Sequence, residues 1–100
     1  MATESVTLLD LRLVRIMYDD LDGDHYGLAL GRAAGLNTAS RYTCLARLER
    51  MGWVIARWED IDPVTEGRPA RKFYRLTAQG MEGYRAQLQT IVSPALRGIL

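Results

Sequence analysis

Two stretches of the chain carry side chains able to act on a partner. In "SRYTCLARLER", Ser40, Thr43, Arg47 and Arg50 recur at i, i+3, i+7 and i+10, so a helix lines them along one side. Hydroxyls and long cations on an exposed helix donate to phosphates and to base edges in a major groove. An ordinary solvated face looks the same in isolation, so this row needs support from elsewhere. The second stretch, "EGRPARKFYRLT" at residues 66–77, sets Arg68, Arg71 and Lys72 about a turn and leads into an aromatic run. Gly67 permits the turn, Pro69 stiffens it, and the cations can reach a phosphate backbone or a minor groove. Glu59, Asp60, Asp62 and Glu66 lie mainly on the outgoing side and partly screen them.

Other chemistries do not hold together. "DDLDGDHYG" imitates the start of a calcium loop through Asp20, Asp22 and Asp24, but His25 stands where the turn glycine belongs. Gly31 fills the slot of the closing bidentate glutamate. The stretch reads as an acidic, solvated turn with His25 on its surface. No motif sets a nucleophile or an acid beside that single histidine, so catalysis is not expected. "GRAAG" has neither the preceding strand nor the following Lys-Ser/Thr of a phosphate loop. Cys44 is the only cysteine; it permits no intrachain disulfide and no cysteine-based metal site, and reads as a small buried hydrophobe. Neither a metal nor a cofactor is expected.

The elements that must position the two cationic stretches follow from periodicity and punctuation. Val6, Leu9, Leu13, Ile16 and Met17 share one face of a first helix, while Leu8, Leu11 and Tyr18 lie roughly opposite. Apolar residues on both sides call for cover on both sides, and in a small chain a second subunit can supply it. A second helix runs from about Tyr26 to Ala34, burying Tyr26, Ala29, Leu30 and Ala33, and Gly35 closes it in the left-handed conformation. Asn37 or Thr38 then caps a third helix reaching Met51, with Arg41, Leu45 and Leu48 on its inner side and Tyr42 at the edge of that stripe. Helix, glycine turn, capped helix is the pattern of a helix-turn-helix.

Gly52 ends the third helix. "WVIARWED" alternates like a strand, "IDPVTEGRPAR" is a loop, and "KFYRL" returns with Lys72, Tyr74 and Leu76 on one side. Three helices followed by strand, turn and strand make a winged helix, with "EGRPARK" as the wing tip. Thr77 caps a last helix whose stripe is Met81, Tyr84, Leu88, Ile91, Val92, Ala95 and Ile99. Either Pro94 kinks that helix, or Ser93 caps a separate short one. With the core already furnished, the stripe reads as a dimer seam, helped by Leu8 and Leu11.

The fold class is therefore mainly α with a small β-hairpin: a winged helix-turn-helix over residues 1–76 and a C-terminal dimerisation helix over 77–100, within one domain. Net charge is +1, yet residues 1–36 carry −3 and residues 37–75 carry +3. The basic middle is what a polyanion would feel. No stretch approaches the roughly 18 apolar residues of a membrane span, and "MATESVTLLD" lacks a signal pattern, so a cytoplasmic protein is expected.

"YGLALGRAAGL", "YTCLARLERMGWV", "RWED" and "EGRPARKFYRLTAQG" closely resemble the PadR family of winged-helix transcriptional regulators, especially its short-tailed subgroup, over roughly residues 8 to 90. The resemblance implies a homodimeric DNA-binding repressor joined through its first and last helices. It implies that Tyr42 and its neighbours on the third helix touch operator DNA, with Tyr42 at a phosphate. Its ring is then expected buried and its hydroxyl exposed. Family members usually carry Gly-Thr or Gly-Ser and an aliphatic residue before that tyrosine; here Ala39-Ser40-Arg41 stands there. Some relatives hold flat aromatic drugs between protomers with a tryptophan on the last helix; this chain has Tyr84 and no tryptophan there, and any small-molecule inducer is unidentified.

The expected function is a sequence-specific regulator binding double-stranded DNA as a homodimer on an inverted repeat. Expected DNA contacts are Asn37, Thr38, Ser40, Arg41, Tyr42, Thr43, Arg47, Arg50, Arg68, Arg71 and Lys72. The alternative is a winged-helix module that binds protein without specific DNA binding.

Overall fold

The first helix starts at a capping box. Thr7 Oγ1 accepts from the Asp10 N–H at 3.1 Å, and the Thr7 N–H donates to Asp10 Oδ2 at 2.9 Å, satisfying donors that a helix start leaves unpaired. This is seen in a computed structural model, which describes residues 5–91. Pro94, with its two readings, and Val92 and Ile99 of the expected seam lie outside these residues. Helix α1 (Leu8–Asp19) is followed by β1 (His25–Tyr26), α2 (Gly27–Ala34), α3 (Thr38–Arg50), β2 (Val54–Trp58), the one-turn α4 (Pro63–Glu66), β3 (Lys72–Leu76) and α5 (Ala78–Ile91).

The strands form an antiparallel sheet in the order β1-β3-β2. Val54 pairs with Leu76 and Trp58 with Lys72 across the hairpin, while His25 pairs with Tyr74 on the other side of β3. The expected hairpin is thus present, enlarged by a short strand that the helical reading of Tyr26 concealed. Leu13, Val14 and Met17 of α1, Leu30 and Ala34 of α2, Cys44, Leu45 and Leu48 of α3, and Trp53, Val54, Tyr74 and Leu76 of the sheet share one core. On α2 the buried set is Leu30, Gly31 and Ala34, while Ala33 is exposed. Gly35 (φ 72°) closes α2 and Gly52 (φ 76°) follows α3, both in the left-handed region that glycine enters without steric cost.

Helix α5 docks through small residues. Thr77 Oγ1 accepts from the Gly80 N–H at 3.0 Å and donates to the Gly52 carbonyl at 2.7 Å, capping the helix and tying it to the end of α3 in one move. A methyl group on Gly80 would collide with the Trp53 carbonyl, and one on Gly83 with the Trp53 indole. The Tyr84 ring meets Tyr18 of α1 at 5.0 Å between centroids, and Arg85 Nε donates to the Tyr18 hydroxyl at 2.8 Å.

This docking changes the expected seam. Leu11 and Tyr84 belong to the chain's own core, and Met81 packs half-buried against it. Leu8 (67% exposed) and Leu88 (39%) remain on the surface. Together with Leu11, Arg12, Arg15 and Tyr84 they outline a shallow apolar depression between α1 and α5.

Candidate nucleic-acid interface

Helix α3 is aimed by its first turn. Asn37 Oδ1 accepts from the Ser40 N–H at 2.8 Å, fixing the start of the helix beside the α2 turn. Leu45 and Leu48 point into the core, which leaves Thr38, Ala39, Tyr42, Thr43, Ala46 and Arg50 exposed and Ser40 half-buried. Tyr42 is 61% exposed: its ring lies on the surface, and the expectation of a buried ring is corrected. What covers it is Arg41, whose guanidinium sits 4.8 Å from the ring centroid. The Arg41 stem runs over α2, where a Cβ added to Gly31 would lie 2.7 Å from Arg41 Cδ.

The cations expected to act together are used differently. Arg47 does not join an outer row. Its Nη1 donates to both carboxylate oxygens of Asp10 at 2.9 Å each, and Asp10 is fully buried. The reason is electrostatic: a carboxylate sealed under α1 requires a buried counter-charge, and Arg47 is the cation whose reach allows it. Ser40, Thr43 and Arg47 therefore border a shallow depression against Thr7 and Leu9. Arg50 is exposed on the last turn.

At the wing, Arg68 turns back across the hairpin. Its Nη1 and Nη2 donate to Glu59 Oε1 and Oε2 at 2.6 and 3.0 Å, the two-pronged geometry that suits guanidinium and carboxylate. Arg68 holds the Glu59 carboxyl below its ordinary range, chiefly through these hydrogen bonds. The tip beyond them is α4, capped by Asp62 and closed by Gly67 (φ 68°). Asp60, Asp62, Val64 and Glu66 are exposed there. Of "EGRPARK", Glu66 and Gly67 belong to the tip, which is acidic, while Arg68, Arg71 and Lys72 lie on the inner arm of the wing.

Lys72 and Arg71 stand nearer the helix. Lys72 Nζ is 3.1 Å from Glu49 Oε1, with both side chains partly exposed, and Arg71 lies 4.6 Å over the Tyr26 ring. Half-exposed pairs of this kind contribute roughly 0–1 kcal/mol, so Lys72 can exchange Glu49 for a phosphate at little cost; Arg47 cannot leave Asp10 so cheaply.

Between α3 and the inner wing lies a groove of about 380 Å³ lined by Tyr26, Leu28, Arg41, Tyr42, Trp58, Arg71, Lys72 and Tyr74 among others. Among the described residues, no acidic side chain lines it. Tyr26, Trp58 and Tyr74 were absent from the expected site, although the strand alternation placing Trp58, Lys72 and Tyr74 on one face was a signal for two of them. Asp10 left only its capping pattern in the sequence; its pairing with Arg47, 37 positions away, had no signal.

The family model described as "Transcriptional regulator PadR-like family" matches residues 23–86, the span that holds β1, α2, α3, the wing and most of α5. The chain belongs to the PadR-like family. Among curated proteins no sequence matches it. Solved structures agree with this PadR-like domain in fold. A mutant MepR from a multidrug-resistant S. aureus clinical isolate is 16% identical, with a TM-score of 0.74 over 95% of this chain and 64% of that one. The PcaV transcriptional regulator from Streptomyces coelicolor is 16% identical, with a TM-score of 0.67 over 99% of this chain and 72% of that one. A protein from Streptococcus mutans is 20% identical, with a TM-score of 0.66 over 89% and 82%. The chain spans about half of a second MepR mutant, 54% of its length. The fold is a winged helix, and the PadR-like family is one of transcriptional regulators.

Proposed function

We propose that this PadR-like protein is a cytoplasmic, homodimeric repressor that binds an inverted-repeat duplex through the front of α3 and the inner arm of the wing. The observation that carries this reading is the exposed Thr38–Tyr42–Thr43 surface adjoining Arg41, Arg71 and Lys72 across a groove with no acidic lining among the described residues. Thr38 and Thr43 supply hydroxyls for base edges or phosphates, Arg41 a planar cation, and Lys72 a charge that a phosphate can take from Glu49. Arg47 and Arg68 act one step back: Arg47 seats α3 on α1, and Arg68 closes the wing. The dimer reading rests on the depression between α1 and α5, where Leu8 and Leu88 need cover.

The pairing of Arg68 with Glu59 and of Lys72 with Glu49 favours the rival, a winged-helix module that binds protein. Salt separates the two. Duplex binding by the PadR-like surface should weaken steeply as salt rises, and Tyr42→Ala and Thr43→Ala should each weaken it while leaving the fold intact. A binding isotherm insensitive to salt and to both substitutions would favour the protein-binding module.

A further inference from the structure

Strand alternation sends Trp58, Lys72 and Tyr74 to the groove side of the sheet, so Ile55, Arg57, Phe73 and Arg75 share its back. Across the hairpin Ile55 stands beside Arg75, and Arg57 beside Phe73. Half of this face is already held. Arg57 lies 4.8 Å over the Phe73 ring and donates from Nη2 to Asp24 Oδ1 at 3.2 Å, and Tyr26 meets the edge of the same ring at 6.2 Å. The other half is not: Ile55 is 61% exposed, and Arg75 is exposed with no partner among the described residues. The turn bordering the face has the opposite character. Gly23 and Asp24 line a hollow of about 170 Å³ together with these four side chains. Just before them Leu21 is 38% exposed, and Asp22 is exposed with no partner among the described residues.

We infer that the back of the sheet and the turn at 20–24 form a self-complementary surface that pairs two copies of this chain. Asp22 of one copy sits on the partner's Arg75 and Leu21 against the partner's Ile55, with the same two contacts repeated in reverse. An acid and a leucine beside a cation and an isoleucine, all on one protomer, are what a two-fold axis requires, because each copy then offers both halves. Asp24 and the apolar Ile55 and Phe73 make the face a poor match for phosphate, whose partners are cations and polar donors. The surface shares no residue with the depression between α1 and α5, so it is a second interface and not the seam. Exposed ion pairs contribute little and the patch is small, so the association is weak in free solution. Its consequence rests on the proposed DNA reading: copies bound side by side on one duplex are held close, and the weak contact becomes cooperative binding to adjacent sites.

Sedimentation equilibrium of the full chain without DNA, from micromolar to millimolar concentration at low salt, gives the readout. The mass should rise above its dilute value, whether the dilute species is monomer or dimer, and the rise should fade at high salt. A dilute species of one chain would remove the α1–α5 seam and leave this surface standing. Arg75→Asp and Asp22→Arg each set like charges against one another twice across the axis, and each should weaken the step about tenfold or more. An equimolar mixture of the two variants restores opposite charges at both contacts and should associate within about threefold of the wild type. Ile55→Thr keeps the strand and removes apolar contact, and should weaken the step several-fold. All three positions are exposed, so thermal melting of the variants should match the wild type. No rise in mass at millimolar concentration, a rise that both charge variants keep, or no recovery on mixing overturns the proposal. So does a chain that stays at its dilute mass while its Ile55 and Arg75 amide resonances shift with an acidic, leucine-bearing peptide, which would make another protein the occupant.

Discussion

Arg47 decides between two accounts of α3, and removing it gives opposite results under each. In the structure its guanidinium holds both oxygens of Asp10 at 2.9 Å, and Asp10 is fully buried while Arg47 is partly exposed. Breaking a buried pair by deleting one partner costs about 3–5 kcal/mol, because the other charge is left uncompensated. The partial exposure of Arg47 and the Thr7 N–H that also serves Asp10 place this case near the lower end, about 3 kcal/mol. For a domain of this size that lowers the melting temperature by roughly 12–24 °C. Arg47→Met, which keeps the packing of the stem, should show this loss in thermal and urea unfolding followed by circular dichroism. Asp10→Asn added to it should recover much of the loss, since no buried charge then remains. If Arg47→Met melts like the wild type but binds duplex DNA weakly, the outward-facing reading of Arg47 is right and the pair is incidental.

The same logic applies elsewhere. Arg68→Ala and Glu59→Ala should loosen the wing alike and weaken duplex binding by similar factors in fluorescence anisotropy; stronger binding by Glu59→Ala would show that Arg68 serves phosphate once released. Asp substituted at Leu8 and Leu88 together should give a folded monomer by analytical ultracentrifugation, because both side chains are exposed in the protomer; a stable dimer would place the seam elsewhere. Burial, and then the neighbouring Asp10, push the Cys44 thiol from 9.0 up to about 11. The fold therefore favours the neutral thiol, and the stability it contributes is complete below pH 9.0 and lost between pH 9.0 and about 11. Urea midpoints across that window should fall for the wild type and fall less for Cys44→Ala; equal slopes would mean that Cys44 does not titrate with unfolding.

Much of the fold was legible because its signals are local. The cap at Asn37 or Thr38, which proves to be Asn37, the left-handed Gly35, the helix end at Gly52, the Thr77 cap and the alternation of Tyr74 and Leu76 each concern a few neighbouring residues. The site was less legible because its chemistry is set by pairs distant in sequence. Nothing near Arg47 announces Asp10, and nothing near Arg68 says that the bidentate partner is Glu59 and not a phosphate. The helical spacing that grouped Ser40, Thr43 and Arg47 was correct as geometry, but a helix has more than one side facing away from the core, and this side looks toward the start of α1. Tyr26 was assigned to a helix, which hid β1 and with it one wall of the groove. The outward ring of Tyr42 meets the guanidinium of its neighbour Arg41, a contact that the inward reading of Arg41 did not foresee.

Selection of bound sites from random duplex DNA tests the central claim most directly, run in parallel on the wild type and on Arg41→Ala, Thr43→Ala and Tyr42→Ala. The account predicts an inverted repeat whose half-sites lie about one helical turn apart, roughly 34 Å, with two copies of α3 in successive major grooves. Thr43→Ala or Arg41→Ala should erase preference at one symmetric pair of positions, a loss of about 1–3 kcal/mol of discrimination, and Tyr42→Ala should lower affinity evenly. No enriched sequence, or an enriched site without two-fold symmetry that all three variants select unchanged, would contradict it.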